Sequence, residues 1–495
     1  MLATTIEKLI YYGICHLDLN KDDVVYVRNL LLHFLNVNEP YEGEIDQDAI
    51  NDMTSPIEII NELKAQNNTL SDNDLDYIFS LITPRPKDVV EKFNNIYNET
   101  GPENAIDYLY NLSIYNNYLK QHRIEQNVEW LFEGDISNFI ISINMVKKDT
   151  INKTDKQYPK CELCYSNVGY YGKTSEDSKS NLRAVPLDIL NDEWFLQLSP
   201  YAYYDKHSVL ISKNHLPMYT NKKTIEIELE FLDKFPNLFI GANPDIDRVG
   251  CKNLDHMHFE CGENILPIMN AKFRYNLRKR EIPDTEISYL DWYTSCFMLK
   301  SKNKNSIATL AELFIQSFNN YNDDSINLLA KDADNKYSSL SSLARKVDDT
   351  YILYLIPRNN RCIDGFQNGI FNIRYENTNI KDDFIALMES SGLFILPRKI
   401  NEEMELMSEI ISSTYYSISD MIRINPSLEK HLQFINNLLI KYGRKNSKET
   451  ALELVKYEIG KVCEKILTDT SIFKDTIDGQ IALFKFIDSL MIEVK

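Results

Sequence analysis

The sequence predicts an α+β fold, with antiparallel sheet in the middle of the chain and helical regions at both ends. Apolar residues recur at helical spacing before residue 135 and after residue 400, and short alternating runs fill the interval. Those runs lack the strict strand–helix alternation that marks a doubly wound parallel sheet.

In the first region Asp22-Asp23 precede Val24, Val27, Leu30, Leu31 and Phe34, which fall on one helical face. Ser55-Pro56 open a helix over 57–63, with Ser as N-cap and Pro at the first helical position. Arg85-Pro86 and Gly101-Pro102 open helices over 89–97 and 105–112 in the same way. Beyond Trp130 the period shortens to two: Phe139, Ile141 and Ile143 alternate with Ile140, Ser142 and Asn144. Further strands are expected at 208–211, 238–241, 256–259, 289–298, 351–356, 369–374 and 392–396. Helices return over 402–413, 427–442 and 448–467.

The length of 495 residues allows about two to four domains or one large duplicated fold. A net charge of −19 argues against a nucleic-acid surface, which needs clustered Lys and Arg, but leaves room for a small phosphate ligand held by a few arginines. No run approaches the ~20 apolar residues of a membrane helix. The start carries Glu7 and Lys8, is interrupted by Gly13 and Cys15, and does not read as a signal peptide. These features point to the cytoplasm, where eight scattered cysteines are expected as thiols or metal ligands. Neither a Walker loop nor a Gly-x-Gly-x-x-Gly run occurs.

The chemistry-bearing residues are concentrated. His207, His215, His256 and His258 are four of only eight histidines, and Cys161 and Cys164 lie upstream as Cys-x-x-Cys. Zinc takes four thiolate or imidazole ligands in a tetrahedron, and Cys-x-x-Cys on a tight turn supplies two. His215 and one of His256 or His258 would complete the set. A redox pair or unrelated thiols are the competing readings of the cysteines, and His207 and His215 could each be a singly hydrogen-bonded histidine. On a strand, His256, His258 and Glu260 share one face. One imidazole could then be held by metal while the other offers a free nitrogen to a phosphate, toward which imidazole is a competent nucleophile.

These residues, in this order, resemble the UDP-glucose–hexose-1-phosphate uridylyltransferases, the bacterial second type of galactose-1-phosphate uridylyltransferase, within the histidine-triad superfamily. Tyr26-Val27-Arg28-Asn29, Thr83-Pro84-Arg85-Pro86 and Asp107-Tyr108-Leu109-Tyr110 are similar to family stretches. So are Tyr158-Pro159-Lys160-Cys161-Glu162-Leu163-Cys164, Asn181-Leu182-Arg183-Ala184-Val185-Pro186-Leu187 and Trp194-Phe195-Leu196-Gln197-Leu198-Ser199-Pro200-Tyr201. His215-Leu216-Pro217-Met218, Arg358-Asn359-Asn360-Arg361, Gly369-Ile370-Phe371 and Gly392-Leu393-Phe394-Ile395-Leu396-Pro397 follow. The resemblance implies a duplicated histidine-triad-like core: a helical region 1–134, a catalytic half 135–285, a second half 286–400 and a helical region 401–495. It implies a ping-pong transfer of the uridylyl group from UDP-glucose to galactose 1-phosphate, giving UDP-galactose, with His258 as the covalent carrier. It further implies a structural zinc on Cys161, Cys164, His215 and His256, and a homodimer. Arg358 and Arg361 are expected as phosphate contacts, and Asn181, Arg183 and Asn243 as further nucleotide contacts.

One departure bears directly on the phosphate being transferred. The family strand reads Ser-His-Asp-His-Phe-Gln-Gly-Gly; here it reads Asp255-His256-Met257-His258-Phe259-Glu260-Cys261-Gly262. The family's Gln amide donates to the transferred phosphate, and an ionised Glu260 cannot. At ~4 Å and an effective dielectric near 20 the repulsion is of order 4 kcal/mol, about a thousandfold in rate. Either burial protonates Glu260, or its carboxylate turns to something basic. Cys251 also stands for a family Gly. The loop after Phe371 carries Asn372, Arg374, Asn377 and Asn379 where the family is rich in histidine, so a second metal site is not expected.

Overall fold

Local rules set the helices of the first region. In Asp72–Ile82 the Ser71 side chain accepts from the Asp74 N–H while the Asp74 carboxylate accepts the Ser71 N–H, closing a capping box. Pro86–Thr100 and Pro102–Tyr115 each begin on a proline and meet at Gly101, whose φ of 101° suits glycine. Ile57–Gln66 follows Pro56, which takes the N-cap place expected of Ser55. The computed structural model describes residues 1–146, 158–159, 161–172, 178–415 and 417–495.

The strands are, in chain order, β1 (Val128–Glu133), β2 (Asn138–Ile143), β3 (Ala184–Ile189), β4 (Asp192–Leu198), β5 (Ser208–Ser212), β6 (Phe239–Ala242), β7 (His258–Gly262), β8 (Lys272–Arg278), β9 (Glu286–Asp291), β10 (Phe297–Ser301), β11 (Ser338–Val347), β12 (Thr350–Asn359), β13 (Leu393–Leu396) and β14 (Glu493–Val494). An order of three strands, a helix and two strands occurs twice. The first copy is β3–β5, the helix Lys222–Lys234, β6 and β7; the second is β8–β10, the helix Lys304–Phe318, β11 and β12. The expected α+β class with a duplicated antiparallel core and helical regions at both ends is therefore the fold.

The chain forms two compact units. One gathers Met1–Gln126, Asn152–Leu216 and His256–Glu263; the other gathers Asn127–Ile151, Pro217–Asp255 and Asn264–Lys495. In the first unit the strands run β3-β4-β5-β7, every neighbour antiparallel. Trp194 packs on Phe259 there, ring centroids 5.6 Å apart. In the second unit β8, β9, β10, β12, β11 and β6 pair antiparallel in that order, with β14 beside β8. Phe297 of β10 meets Phe314 of the helix Lys304–Phe318 at 4.8 Å, and Phe486 lies against both. A small sheet pairs β1 with β2 antiparallel and β2 with β13 parallel.

Four local expectations are corrected. The helical reading of the first region ends at Ile124, because Val128–Glu133 pairs with β2 as a strand. The run 289–298 is two strands, β9 and β10, separated by a turn. Residues 369–374 are turn, with Gly369 at φ 115° and the Arg374 guanidinium donating back to the Ile370 carbonyl at 2.9 Å. The helix expected over 427–442 splits into a 3-10 turn, Pro426–His431, and an α-helix, Leu432–Tyr442. His431 is fully buried and bonds Glu403 at 3.0 Å, which fixes the break.

Candidate active site and metal centre

The first unit brings Cys161, Cys164, His215 and His256 together. One ligand atom from each lies within 4.8 Å of all the others. Cys164 Sγ is 3.2 Å from His215 Nδ1 and 3.6 Å from His256 Nδ1, and Cys161 Sγ is 3.5 Å from His256 Nδ1. A tetrahedral zinc with its usual bond lengths needs sulfur–nitrogen separations of about 3.5 Å. The tautomer also fits. His256 Nε2 donates to the Ser212 carbonyl at 2.8 Å, which leaves the Nδ1 lone pair facing the thiols. The cluster is therefore compatible with a bound metal ion.

The cysteine turn is fastened from behind. Asn167 Nδ2 donates to the carbonyls of both Cys161 and Cys164 at 2.8 Å, and the Leu163 N–H donates to Cys161 Sγ at 3.4 Å. Burial and the neighbouring Cys161 push the Cys164 thiol up to about 11, so proton loss there needs a compensating cation. Lys160, next to this turn in the sequence motif, lies outside the described residues.

β7 begins two residues after His256, so His256 sits at its approach rather than inside the strand. His258 opens β7 opposite Ile211 of β5 and is buried. Its Nδ1 lies 2.7 Å from the His256 carbonyl, to which it donates. Nε2 then carries the lone pair of the neutral ring. Desolvation lowers the His258 pKa below the ordinary histidine value, although the Glu260 charge pulls the other way. The ring is accordingly unprotonated at neutral pH, the state in which an imidazole can act as a nucleophile.

Glu260 follows on the same face and turns to something basic. Its Oε2 accepts from His207 Nε2 at 2.8 Å. The other ring nitrogen of His207, Nδ1, accepts the Tyr203 N–H at 3.3 Å, so Nε2 carries the hydrogen and Glu260 must accept. Burial alone would raise the Glu260 pKa, but the His207 hydrogen bond and charge hold it below the usual carboxylate value. The carboxylate is ionised. Tyr203 stacks on His207 at 5.1 Å and Tyr204 leans on it at 4.4 Å. Gly262 makes room for this packing, because a Cβ there would stand 2.2 Å from the Tyr204 ring.

The remaining expected residues are held elsewhere. Asn181 and Arg183 lie in the same unit. Asn181 Nδ2 donates to the Asn116 carbonyl at 2.9 Å, and Arg183 spends its donors on the carbonyls of Thr83, Pro84, Ser180 and Leu182. Burial brings the Arg183 pKa down to about 10. In the second unit Asn243 accepts the Leu387 N–H at 2.9 Å. Arg358, fully buried, donates to Ser390 Oγ and the Ile385 carbonyl, and Arg361 donates to the Asn327 carbonyl. The spacing of the cysteines and histidines marked the metal cluster in advance. It did not mark Asn167 or the pairing of His207 with Glu260, which depends on the β5–β7 register.

The family model described as galactose-1-phosphate uridyl transferase, N-terminal domain, matches residues 18–217. A galactose-1-phosphate uridylyltransferase of Caldanaerobacter subterraneus is 32% identical, covering 98% of both chains. One from Clostridium acetobutylicum is 31% identical over 99% of this chain and 100% of its own length. A Lactococcus lactis relative of the same name is 30% identical over 94% of each.

Proposed function

Because the chain belongs to the galactose-1-phosphate uridylyltransferase family, we propose that it moves the uridylyl group of UDP-glucose to galactose 1-phosphate, with His258 as the carrier. The observation that carries this is the bond from His258 Nδ1 to the His256 carbonyl, which fixes the orientation of a desolvated ring and leaves the lone pair on Nε2. Nε2 attacks the α-phosphorus, the bond from that phosphorus to the bridging oxygen breaks, and glucose 1-phosphate leaves with the electron pair. A phosphate oxygen of galactose 1-phosphate then attacks the same phosphorus, the phosphorus–nitrogen bond breaks, and UDP-galactose departs. Nδ1 keeps its proton on the His256 carbonyl throughout. No general base is needed, because the acceptor arrives already ionised.

Cys161, Cys164, His215 and His256 would hold a zinc ion, whose contribution when bound is to tether the segment leading into β7. His256 thereby sets the position of its own carbonyl, and with it the orientation of the His258 ring. The repeated strand–helix order supports two halves in the middle of the chain, but the second copy begins with β8 (Lys272–Arg278), ahead of the 285/286 boundary in the division 1–134, 135–285, 286–400 and 401–495. In this reading Asn181 and Arg183 of the first unit, and separately Asn243, Arg358 and Arg361 of the second, are the candidates for nucleotide and phosphate contacts. With no helix long and apolar enough to cross a membrane among the described residues, and eight free cysteines, the reaction is assigned to the cytoplasm.

UDP-glucose labelled in the uridylyl phosphate tests the reading. Label should appear on His258 and move to UDP-galactose when galactose 1-phosphate is added. A protein that neither takes up label nor forms UDP-galactose rejects it.

A further inference from the structure

We propose that Glu260, held as a carboxylate by His207, gives this chain a second outcome for the bound uridylyl group: hydrolysis to UMP. The inference rests on the reading of His258 as the carrier. The two acceptors that can reach a uridylylated His258 differ in charge. A hexose 1-phosphate is an anion and needs no base, whereas water is neutral and gains from a group that takes its proton. A carboxylate on this face slows the first by repulsion, about a thousandfold at ~4 Å and an effective dielectric near 20, and does not repel the second.

The geometry suits that role. Glu260 and His258 are alternate residues of β7 and share a face. The Glu260 side chain is 22% exposed while the His207 side chain is 2% exposed, so of the pair Glu260 is the one that keeps contact with its surroundings outside the core. Oε2 is committed to His207, and Oε1 makes no hydrogen bond among the described residues. In the proposed step a water hydrogen-bonds to Oε1 and its oxygen attacks phosphorus. The phosphorus–nitrogen bond breaks with the electron pair returning to His258 Nε2, and one water proton passes to Glu260. The products are UMP and free His258, and Glu260 releases its proton to solvent. Water is the only co-reactant. His207 is a positioning residue: it fixes which oxygen faces the site and keeps the group ionised.

The test uses the full chain with UDP-glucose labelled in the uridylyl phosphate and no hexose 1-phosphate acceptor. The expected result is continuous release of UMP and glucose 1-phosphate in equal amounts, with little label resting on the protein. Glu260→Gln, nearly the same shape, should cut UMP release by about 10²-fold, let label build up on His258, and speed transfer to galactose 1-phosphate. His207→Phe keeps the ring packing and removes the donor. It should lower the ratio of UMP to UDP-galactose, whereas a purely structural role would lower both products alike. A wild-type protein that takes label and holds it without forming UMP overturns the inference and leaves the carrier reading standing. UMP release unchanged in Glu260→Gln, or surviving in His258→Ala, also overturns it. Absence of label and of both products in wild type and Glu260→Gln alike strikes the carrier reading instead.

Discussion

β7 and β12 occupy equivalent places in the two copies of the repeat, each pairing antiparallel with the third strand of its own copy. Those third strands, β5 and β10, have five residues each. His258 stands opposite Ile211 and Glu260 opposite Val209; in the second copy Ile352 stands opposite Lys300 and Tyr354 opposite Met298. The same scaffold thus presents a histidine and a carboxylate in one copy and apolar and aromatic groups in the other. The strands are also held differently. β12 runs ten residues in register with β11. β7 has five residues and is approached by His256, a member of the metal-type cluster. The difference teaches that the short β7 has a cluster of side chains gathered at its entrance, where its counterpart has length and an unbroken register.

The largest expected effect tests whether scaffold alone confers chemistry. His258→Ala should reduce uridylyl transfer by at least about 10⁴-fold, measured as UDP-galactose formed. Adding Ile352→His to that variant should restore no protein-bound label, because nothing in β12 reproduces the ring-orienting carbonyl and the cluster before it. Label at position 352 would break the comparison.

Next in size is removal of the metal. Elemental analysis should give one zinc per chain, and Cys161→Ser should lose it. Chelation should lower the melting midpoint and the transfer rate together, because the anchor of β7 is also what places His258. The matching change in the other copy, Ile352→Val, should cost only about 0.5–1.5 kcal/mol and leave kcat unaltered. A chelated protein with full activity would show that β7 stands without its anchor.

The two copies were also unequally legible. Cys-x-x-Cys and His-x-His announce themselves by spacing, since ligands of one ion must lie close whatever the fold. β1 escaped because Val128–Glu133 alternates weakly and is defined by pairing with β2, a tertiary fact. The hairpin joining β3 and β4 escaped because its turn residues, Leu190 and Asn191, both have positive φ (55° and 62°), and leucine does not advertise that conformation. The break at His431 and the turn at 369–374 arise from side chains closing on distant or neighbouring groups, Glu403 in one case and the Ile370 carbonyl in the other. The charge state of Glu260 was open for the same reason. Its partner His207 lies 53 residues away in sequence.

A smaller effect isolates the anchor from its ligands. Asn167→Ala leaves all four ligand atoms in place and removes both hydrogen bonds to the cysteine carbonyls. Metal affinity should fall by about 10–100-fold, read by competition with a chromophoric chelator, while the fold persists. An unchanged affinity would mean that the turn is rigid without this support.

The last effect concerns pH and distinguishes Glu260 from Tyr354. The folded-state pKa of Glu260 lies below its unfolded value, so the His207–Glu260 bond contributes stability that is present above about pH 4.3 and is lost as pH falls through the lower, folded value. His207→Phe should therefore be less stable than the wild type by roughly 1.5–3 kcal/mol at pH 7, the usual range for a hydrogen bond to a charged group, and the gap should close in acid. Tyr354, whose hydroxyl is pushed up to about 12 by burial, does not titrate in that window. Tyr354→Phe should shift denaturant midpoints equally at pH 4 and pH 7. If the gap for His207→Phe were equally constant, Glu260 would be uncharged in the folded protein, and the contrast between the two strands would be one of shape rather than charge.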